Sequence, residues 1–177
     1  EVDDFPIDDL IAGLPYPTLV DNDANCGGFS EWFPSRTNEN LVYLSLEQGV
    51  GGAILINGDP FAGTHGRSGE FGHICVEAGG RTCACGKRGC LEAYCSAARL
   101  STDMGCDLDT FFGRLAAAGD AERERWEEFA EHLARGIATI HMAFDTDIVI
   151  GGLLAQYLPA HLDDIRRRVQ TLDPFAS

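Results

Sequence analysis

The chain has 177 residues, enough for one domain with a real core or for one large lobe of a two-lobed protein. Its 13 Lys plus Arg against 28 Asp plus Glu give a net charge of −15, which repels phosphate backbones and anionic membrane surfaces and argues against nucleic-acid binding by this segment. No apolar run reaches the roughly 18 to 20 residues of a membrane span, and the EVDDFPIDDL start lacks the basic and apolar regions of a signal peptide, so the segment reads as cytosolic.

After an acidic entry, PTLVDNDANCGGFSEWF predicts a short strand from Pro17 to Val20 and then a helix capped by Asn22 or Asp23. LVYLSLEQGVGGAILING contains two apolar β-like runs, Leu41 to Leu46 and Gly52 to Asn57, joined at Glu47 to Gly51 as a hairpin. A Gly-rich loop follows from Asn57 to Gly69, GEFGHICVE reads as another strand, and a helix is expected to start near Gly89 or Cys90. From Ala121 to Phe144, Trp126, Phe129, Leu133, Ile137, Ile140 and Phe144 recur at steps of three and four, the buried stripe of a long helix. Glu122, Arg123, Glu124, Glu127, Glu128 and Glu131 fall on its outer face. TDIVIGGLLAQYLPAHLDDIRRRVQ predicts a strand, a tight Gly151-Gly152 turn and a closing helix, an α/β unit whose turn lies at a ligand-facing sheet end. The missing initial methionine and the abrupt QTLDPFAS ending read as marks of a segment of a longer protein.

Seven cysteines, an odd number in an ordinary globular composition, fit reduced thiols better than a disulfide framework. Cys83, Cys85 and Cys90 form C-x-C-x4-C, and His73 stands ten residues upstream of the first. Three thiolates and an imidazole are a standard tetrahedral set for structural zinc, and filling all four positions leaves no open site for a hydrolytic water. Gly79, Gly80, Gly86 and Gly89 allow the tight loop, and Lys87 and Arg88 offset thiolate charge. The plainer alternative is a set of buried free cysteines. Cys26, Cys75, Cys95 and Cys106 lack such neighbours and read as small core residues, Cys95 being the one substitute ligand.

GEFGHICVEAGGRTCACGKRGCLE resembles the zinc-containing signature of the ROK family, the sugar kinases and sugar-responsive repressors related to bacterial glucokinase. VDNDANCGGFSEW is similar to that family's N-D-A-N segment, and GVGGAILINGDPFAGTHGRSGE to its glycine hairpin and the loop before the zinc site. The resemblance implies an α/β, actin-like, ribonuclease H-like ATPase fold, of which residues 1–177 would form the larger C-terminal lobe. It places Asn22, Asp23, Glu70, His73 and Glu92 in a sugar pocket, makes Asp23 the catalytic base of a kinase, and gives zinc to His73, Cys83, Cys85 and Cys90. It also implies a homo-oligomer, a dimer or tetramer.

The chemistry is coherent on its own terms. A carboxylate accepts two hydrogen bonds from adjacent sugar hydroxyls, which suits Asp23, Glu70 and Glu92. His73 can ligate zinc through one ring nitrogen and donate to a sugar through the other. The duller readings make Asp23 a helix cap and the two glutamates solvated charges.

Phosphoryl transfer has weaker support. Relative to the family's kinases, Glu47-Gln48-Gly49 replaces a Gly-Thr-Gly turn ahead of Gly51 and Gly52, putting a negative charge where ATP phosphates would sit and a side chain where backbone must approach closely. Leu153 interrupts the glycine run after Gly151-Gly152 that contacts adenosine in those kinases. The resemblance therefore points to the sugar-sensing domain of a transcriptional regulator of the xylose-repressor and N-acetylglucosamine-repressor branch, with DNA contacted through a segment outside this chain. The alternatives are an ATP-dependent hexose or amino-sugar kinase and a zinc-stabilised scaffold without a small ligand.

Overall fold

The computed structural model describes residues 6–18, 20–35 and 40–176. A short helix, α1 (Ile7–Ile11), precedes α2 (Asp23–Ser35). The Asn22 side chain accepts the Asn25 N–H at 2.8 Å, so Asn22 is the cap and Asp23 the first helical residue. The strand expected over Pro17 to Val20 is not formed at Pro17, Thr18 or Val20, and Leu19 lies outside the described residues. That segment has no ladder partner, because both flanks of the central hairpin are taken by other strands.

The hairpin forms as expected. Strands β1 (Asn40–Leu46) and β2 (Val50–Ile56) pair antiparallel with Leu46 opposite Val50, and a two-residue β3 (Asp59–Pro60) extends β2. Pro60 is tolerated there because an edge strand need not donate on its outer side. Strand β4 (Ile148–Gly151) pairs parallel with β1, giving a mixed sheet in the order β3-β2-β1-β4.

Strand β1 is buried on both faces, which is why its sequence is an apolar run with little alternation. Val42, Leu44 and Leu46 join the main core, while Leu41 and Tyr43 pack with Ala53 and Leu55 in a second cluster that includes Trp32 of α2. Two glycines set that second spacing: a Cβ on Gly27 would lie 2.7 Å from the Tyr43 ring, and one on Gly28 would lie 2.9 Å from Leu55.

GEFGHICVE does not form a strand. It makes a 3-10 turn at Phe71–His73 and then isolated bridges, Cys75 to Cys90 and Thr82 to Arg88. The reason is close packing end-on to the hairpin: Cβ atoms on Gly69 and Gly72 would meet the Gly52 and Val50 carbonyl oxygens at 2.3 and 2.1 Å. The helix expected near Gly89 or Cys90 starts later, as α3 (Glu92–Cys95), and breaks at the extended Ser96 before α4 (Ala97–Leu100).

Helix α5 (Leu108–Ala116) leads to α6 (Asp120–Phe144), one residue longer at its start than the periodicity predicts. Trp126, Phe129, Leu133 and Ile140 are buried in the main core, so truncating Leu133 to Ala would cost about 2 to 5 kcal/mol. Glu122 departs from expectation: it is buried rather than outward, because it turns back toward Arg114, 3.6 Å away. The chain closes with α7 (Leu162–Leu172), packed on α6. No helix among the described residues is long and apolar enough to cross a membrane.

Candidate functional site

The Cys/His loop gathers its four donors. The ligand atoms of His73, Cys83, Cys85 and Cys90 all lie within 4.8 Å of one another. Cys85 Sγ is 3.7 Å from Cys90 Sγ, and His73 Nδ1 is 3.7 Å from Cys83 Sγ. Metal arms of about 2.3 Å directed tetrahedrally give ligand separations of about 3.8 Å, so this donor set fits a tetrahedral cation. Burial pushes the Cys90 thiol up to about 12 and raises Cys83, whereas the Lys87 backbone N–H, the largest influence on Cys85, lowers that thiol. Three sulfurs crowded in this way ionise together only with a cation among them. Positive φ at Gly79, Gly86 and Gly89 closes the loop. Lys87 Nζ reaches the His73 carbonyl at 3.2 Å, while Arg88 turns onto Gly79 and Thr82.

The remaining cysteines divide. Cys95 is buried as expected, with its thiol toward the Phe129 carbonyl, and stands outside the cluster. Cys106 is half-buried. Cys26 and Cys75 are exposed, contrary to the core role expected of them: Cys26 lies on the outer side of the first turn of α2, and Cys75 sits on a bridge that leaves one side open. All seven are free thiols.

A recess of about 220 Å³ sits over the β1–β2 turn, lined by Asp23, Ser45, Glu47, Gly49, Val50, Gly51 and Glu92. Three carboxylates thus face one small volume, and no lysine or arginine among the described residues lines it. Glu92 is tied on both sides. Its Oε2 accepts the Val50 N–H at 3.1 Å, and its Oε1 lies 3.7 Å from Cys83 Sγ. The Ala97 N–H donates to the Glu47 carbonyl at 2.7 Å, a second tie between the turn and the α3–α4 segment.

Of the residues expected from sequence, Asp23, Glu47, Gly49, Gly51 and Glu92 line this recess, and Gln48 lines an adjoining cavity. Asn22 caps α2 beside Asp23, and Gly52 packs beneath Phe71. His73 meets the recess only indirectly, through Cys83 and Glu92. Glu70 is exposed at the entry to the 3-10 turn and lines neither cavity. Gly151 and Gly152 lie at the same sheet end. Gly151 stands opposite Ser45, and a Cβ on Gly152, whose φ is +85°, would meet the Leu46 carbonyl at 2.7 Å. Parallel β1 and β4 therefore bring the two glycine turns side by side, where α/β sheets bind ligands. Ser45 and the Val50 amide were not legible as site groups, because nothing in an apolar strand marks one hydroxyl or one N–H as facing a cavity.

An N-acetylmannosamine kinase of Citrobacter koseri is 33% identical over 156 residues, covering 84% of this chain and 54% of that protein. A counterpart from Salmonella paratyphi B is 31% identical over 164 residues, covering 89% and 56%. The chain thus spans about half the length of these curated relatives. Among solved structures, a ROK hexokinase from Thermus thermophilus superposes with a TM-score of 0.79 at 32% identity, covering 94% of this chain and 63% of that one. A ROK transcriptional regulator described as a homolog of the E. coli MLC protein superposes at 0.80 with 22% identity, covering 94% and 47%, and so shares the fold. That fold is the actin-like ATPase fold, here as an α/β layer arrangement on a mixed sheet. The ROK family profile matches residues 1–172, and with the paired glycine turns and the Cys/His loop in place, this chain belongs to the ROK family.

Proposed function

We propose that this chain is the larger, C-terminal sugar-binding lobe of a ROK-type transcriptional regulator, with phosphoryl transfer lost. The observation that carries the reading is the lining of the recess: Asp23, Glu47 and Glu92 with no basic partner. Carboxylates grip vicinal hydroxyls through paired hydrogen bonds, and the same carboxylates repel a triphosphate. Glu47 matters most here, since it sits in the turn where backbone amides would otherwise approach phosphate.

In this reading His73, Cys83, Cys85 and Cys90 hold zinc. The metal supplies rigidity to the loop; Glu92, adjoining Cys83, is oriented by it and by the Val50 N–H. Sugar binding acts on the regulator through its differential affinity for two arrangements of lobes or subunits in a homo-oligomer. DNA contact falls to a segment outside these residues, consistent with the net charge of −15.

A second reading has its own support in the N-acetylmannosamine kinases and the Thermus hexokinase, at 31 to 33% identity. There Asp23 would take the proton of the attacking sugar hydroxyl, and ATP with Mg²⁺ would be needed. A coupled ADP-release assay on the full-length protein, run over a hexose and N-acetylhexosamine panel, separates the two. The regulator reading expects sugar binding without turnover, and sustained turnover with any sugar that binds would replace it by the kinase.

A further inference from the structure

Of the four donors in the Cys/His loop, solvent reaches one freely: Cys85 is exposed, while Cys83 and Cys90 are buried and His73 is half-buried. We propose that Cys85 and Cys90 are a peroxide-sensitive thiol pair, whose closure to a disulfide gives up the ion held by the loop and loosens the hold of Glu92 on the β1–β2 turn. The loss of an ion rests on the zinc reading above; the pairing of the two sulfurs does not.

Proximity is the first support. Cys85 Sγ stands 3.7 Å from Cys90 Sγ, so a closure of about 2 Å brings the sulfurs to bonding distance. Residues 86–89, which join the two cysteines, can supply that movement. Gly86 and Gly89 are both at positive φ, and a Cβ on Gly86 would meet nothing within 4 Å, so the tip of the loop has open space around it. Its pairings, Cys75 to Cys90 and Thr82 to Arg88, are isolated bridges rather than a ladder.

Access is the second support, because a peroxide arriving from solvent meets Cys85 before the buried donors. Cys26 and Cys75 are exposed as well but stand outside the four-donor cluster, which makes them internal controls.

The step balances. The Cys85 sulfur attacks one oxygen of hydrogen peroxide, the O–O bond breaks, and the departing hydroxide takes the thiol proton as water, leaving a sulfenic acid. The Cys90 sulfur then attacks the Cys85 sulfur: the S–S bond forms, the S–O bond breaks, and the oxygen leaves as a second water with the Cys90 proton. The two sulfurs lose two electrons and the peroxide gains them. From the ion-bound loop, in which both sulfurs are thiolates, solvent supplies the two protons.

The consequence reaches the recess through Glu92. Oxidation leaves His73 and Cys83, two donors where a tetrahedral ion needs four. Cys83 Sγ adjoins Glu92 Oε1 at 3.7 Å, and Oε2 of the same carboxylate accepts the Val50 N–H at 3.1 Å. A Cys83 no longer fixed by the ion therefore frees the carboxylate that holds the turn.

Titration of the full-length protein with hydrogen peroxide tests this, with peptide mapping by mass spectrometry, a chromogenic chelator for released zinc, and amide hydrogen exchange at Val50. A single equivalent of peroxide should give a Cys85–Cys90 disulfide with Cys26 and Cys75 still reduced, release zinc in step, and speed exchange at Val50 at least about tenfold. A dithiol with added zinc should reverse all three changes. The double variant Cys26→Ser, Cys75→Ser should respond as the parent does. Oxidation of Cys26 or Cys75 ahead of Cys85, or a disulfide joining Cys90 to Cys75, would overturn the thiol pair. A Cys85–Cys90 disulfide with unchanged exchange at Val50 would overturn the link to the recess. Protein isolated without zinc that still forms this disulfide would overturn the zinc reading and uphold the pair.

Discussion

Glu92 carries more of the site than any other single side chain. One oxygen accepts the Val50 N–H of the β1–β2 turn, and the other adjoins Cys83 of the Cys/His loop. A Cβ on Gly49 would lie 2.7 Å from Oε2, so the turn and the carboxylate are mutually fitted and Gly49→Ala would push them apart. The hold of Glu92 on the turn and its proposed acceptance of sugar hydroxyls separate by substitution. Glu92→Gln keeps a carbonyl oxygen for the Val50 amide but loses the charge, so sugar affinity should fall about tenfold while Tm stays within a few degrees. Glu92→Ala should add a loss of stability of about 1 to 3 kcal/mol, because the Val50 amide is then left without its acceptor. Isothermal titration with paired thermal melts checks both, and unchanged affinity in Glu92→Gln removes this residue from the sugar contacts.

Among the elements, the Cys/His loop is the one whose stability should hang on a bound ion. Its backbone makes only isolated bridges, and three of its four donors are thiols that resist ionising together. Metal analysis of the purified protein should give one zinc per chain. Cys85→Ser should lose that metal and several kcal/mol of stability, on the order of 10 °C in Tm, since the energy of binding is energy of folding. A metal-free protein with an unchanged melt would show that the thiols alone close the loop. The donors of this loop were legible because ligand spacing is local, and α6 was legible because a period of 3.6 over six turns has no competing explanation. The segment from Gly69 to Glu77 was misread for the opposite reason. Short apolar runs have the same pattern whether they pair in a ladder or press glycines against another strand's carbonyls, as Gly69 and Gly72 do. Glu122 was misplaced because helical phase alone omits its partner Arg114 on α5. The Arg81–Glu128 clamp joins residues 47 apart in sequence, which no local pattern reveals.

Across the whole molecule, the parallel pairing of β4 with β1 builds the candidate site, because it sets Gly151 and Gly152 beside the Glu47 turn, although more than a hundred residues separate them. The closing helix that follows β4 is anchored at its start by tilted aromatic contacts: the His161 ring centroid lies 4.3 Å from that of Trp126 on α6 and 5.9 Å from that of Phe112 on α5. Burial lowers the His161 pKa from its ordinary 6.5, outweighing the opposing charge of Asp164. The folded state therefore disfavours the imidazolium, so the contribution of neutral His161 to stability is complete above about pH 6.5 and is lost as pH falls from there through the lowered folded value. His161→Phe keeps a ring in this aromatic cluster and removes the titration. Thermal melts of the parent and the variant from pH 7 to pH 5 should show the difference in Tm, variant minus parent, growing more positive as the pH drops. Protonation of the Cys/His donors affects both proteins alike and cancels in that difference. Parallel curves would mean that His161 titrates in the folded protein as it does in the unfolded chain, and that the anchoring of the closing helix is indifferent to pH.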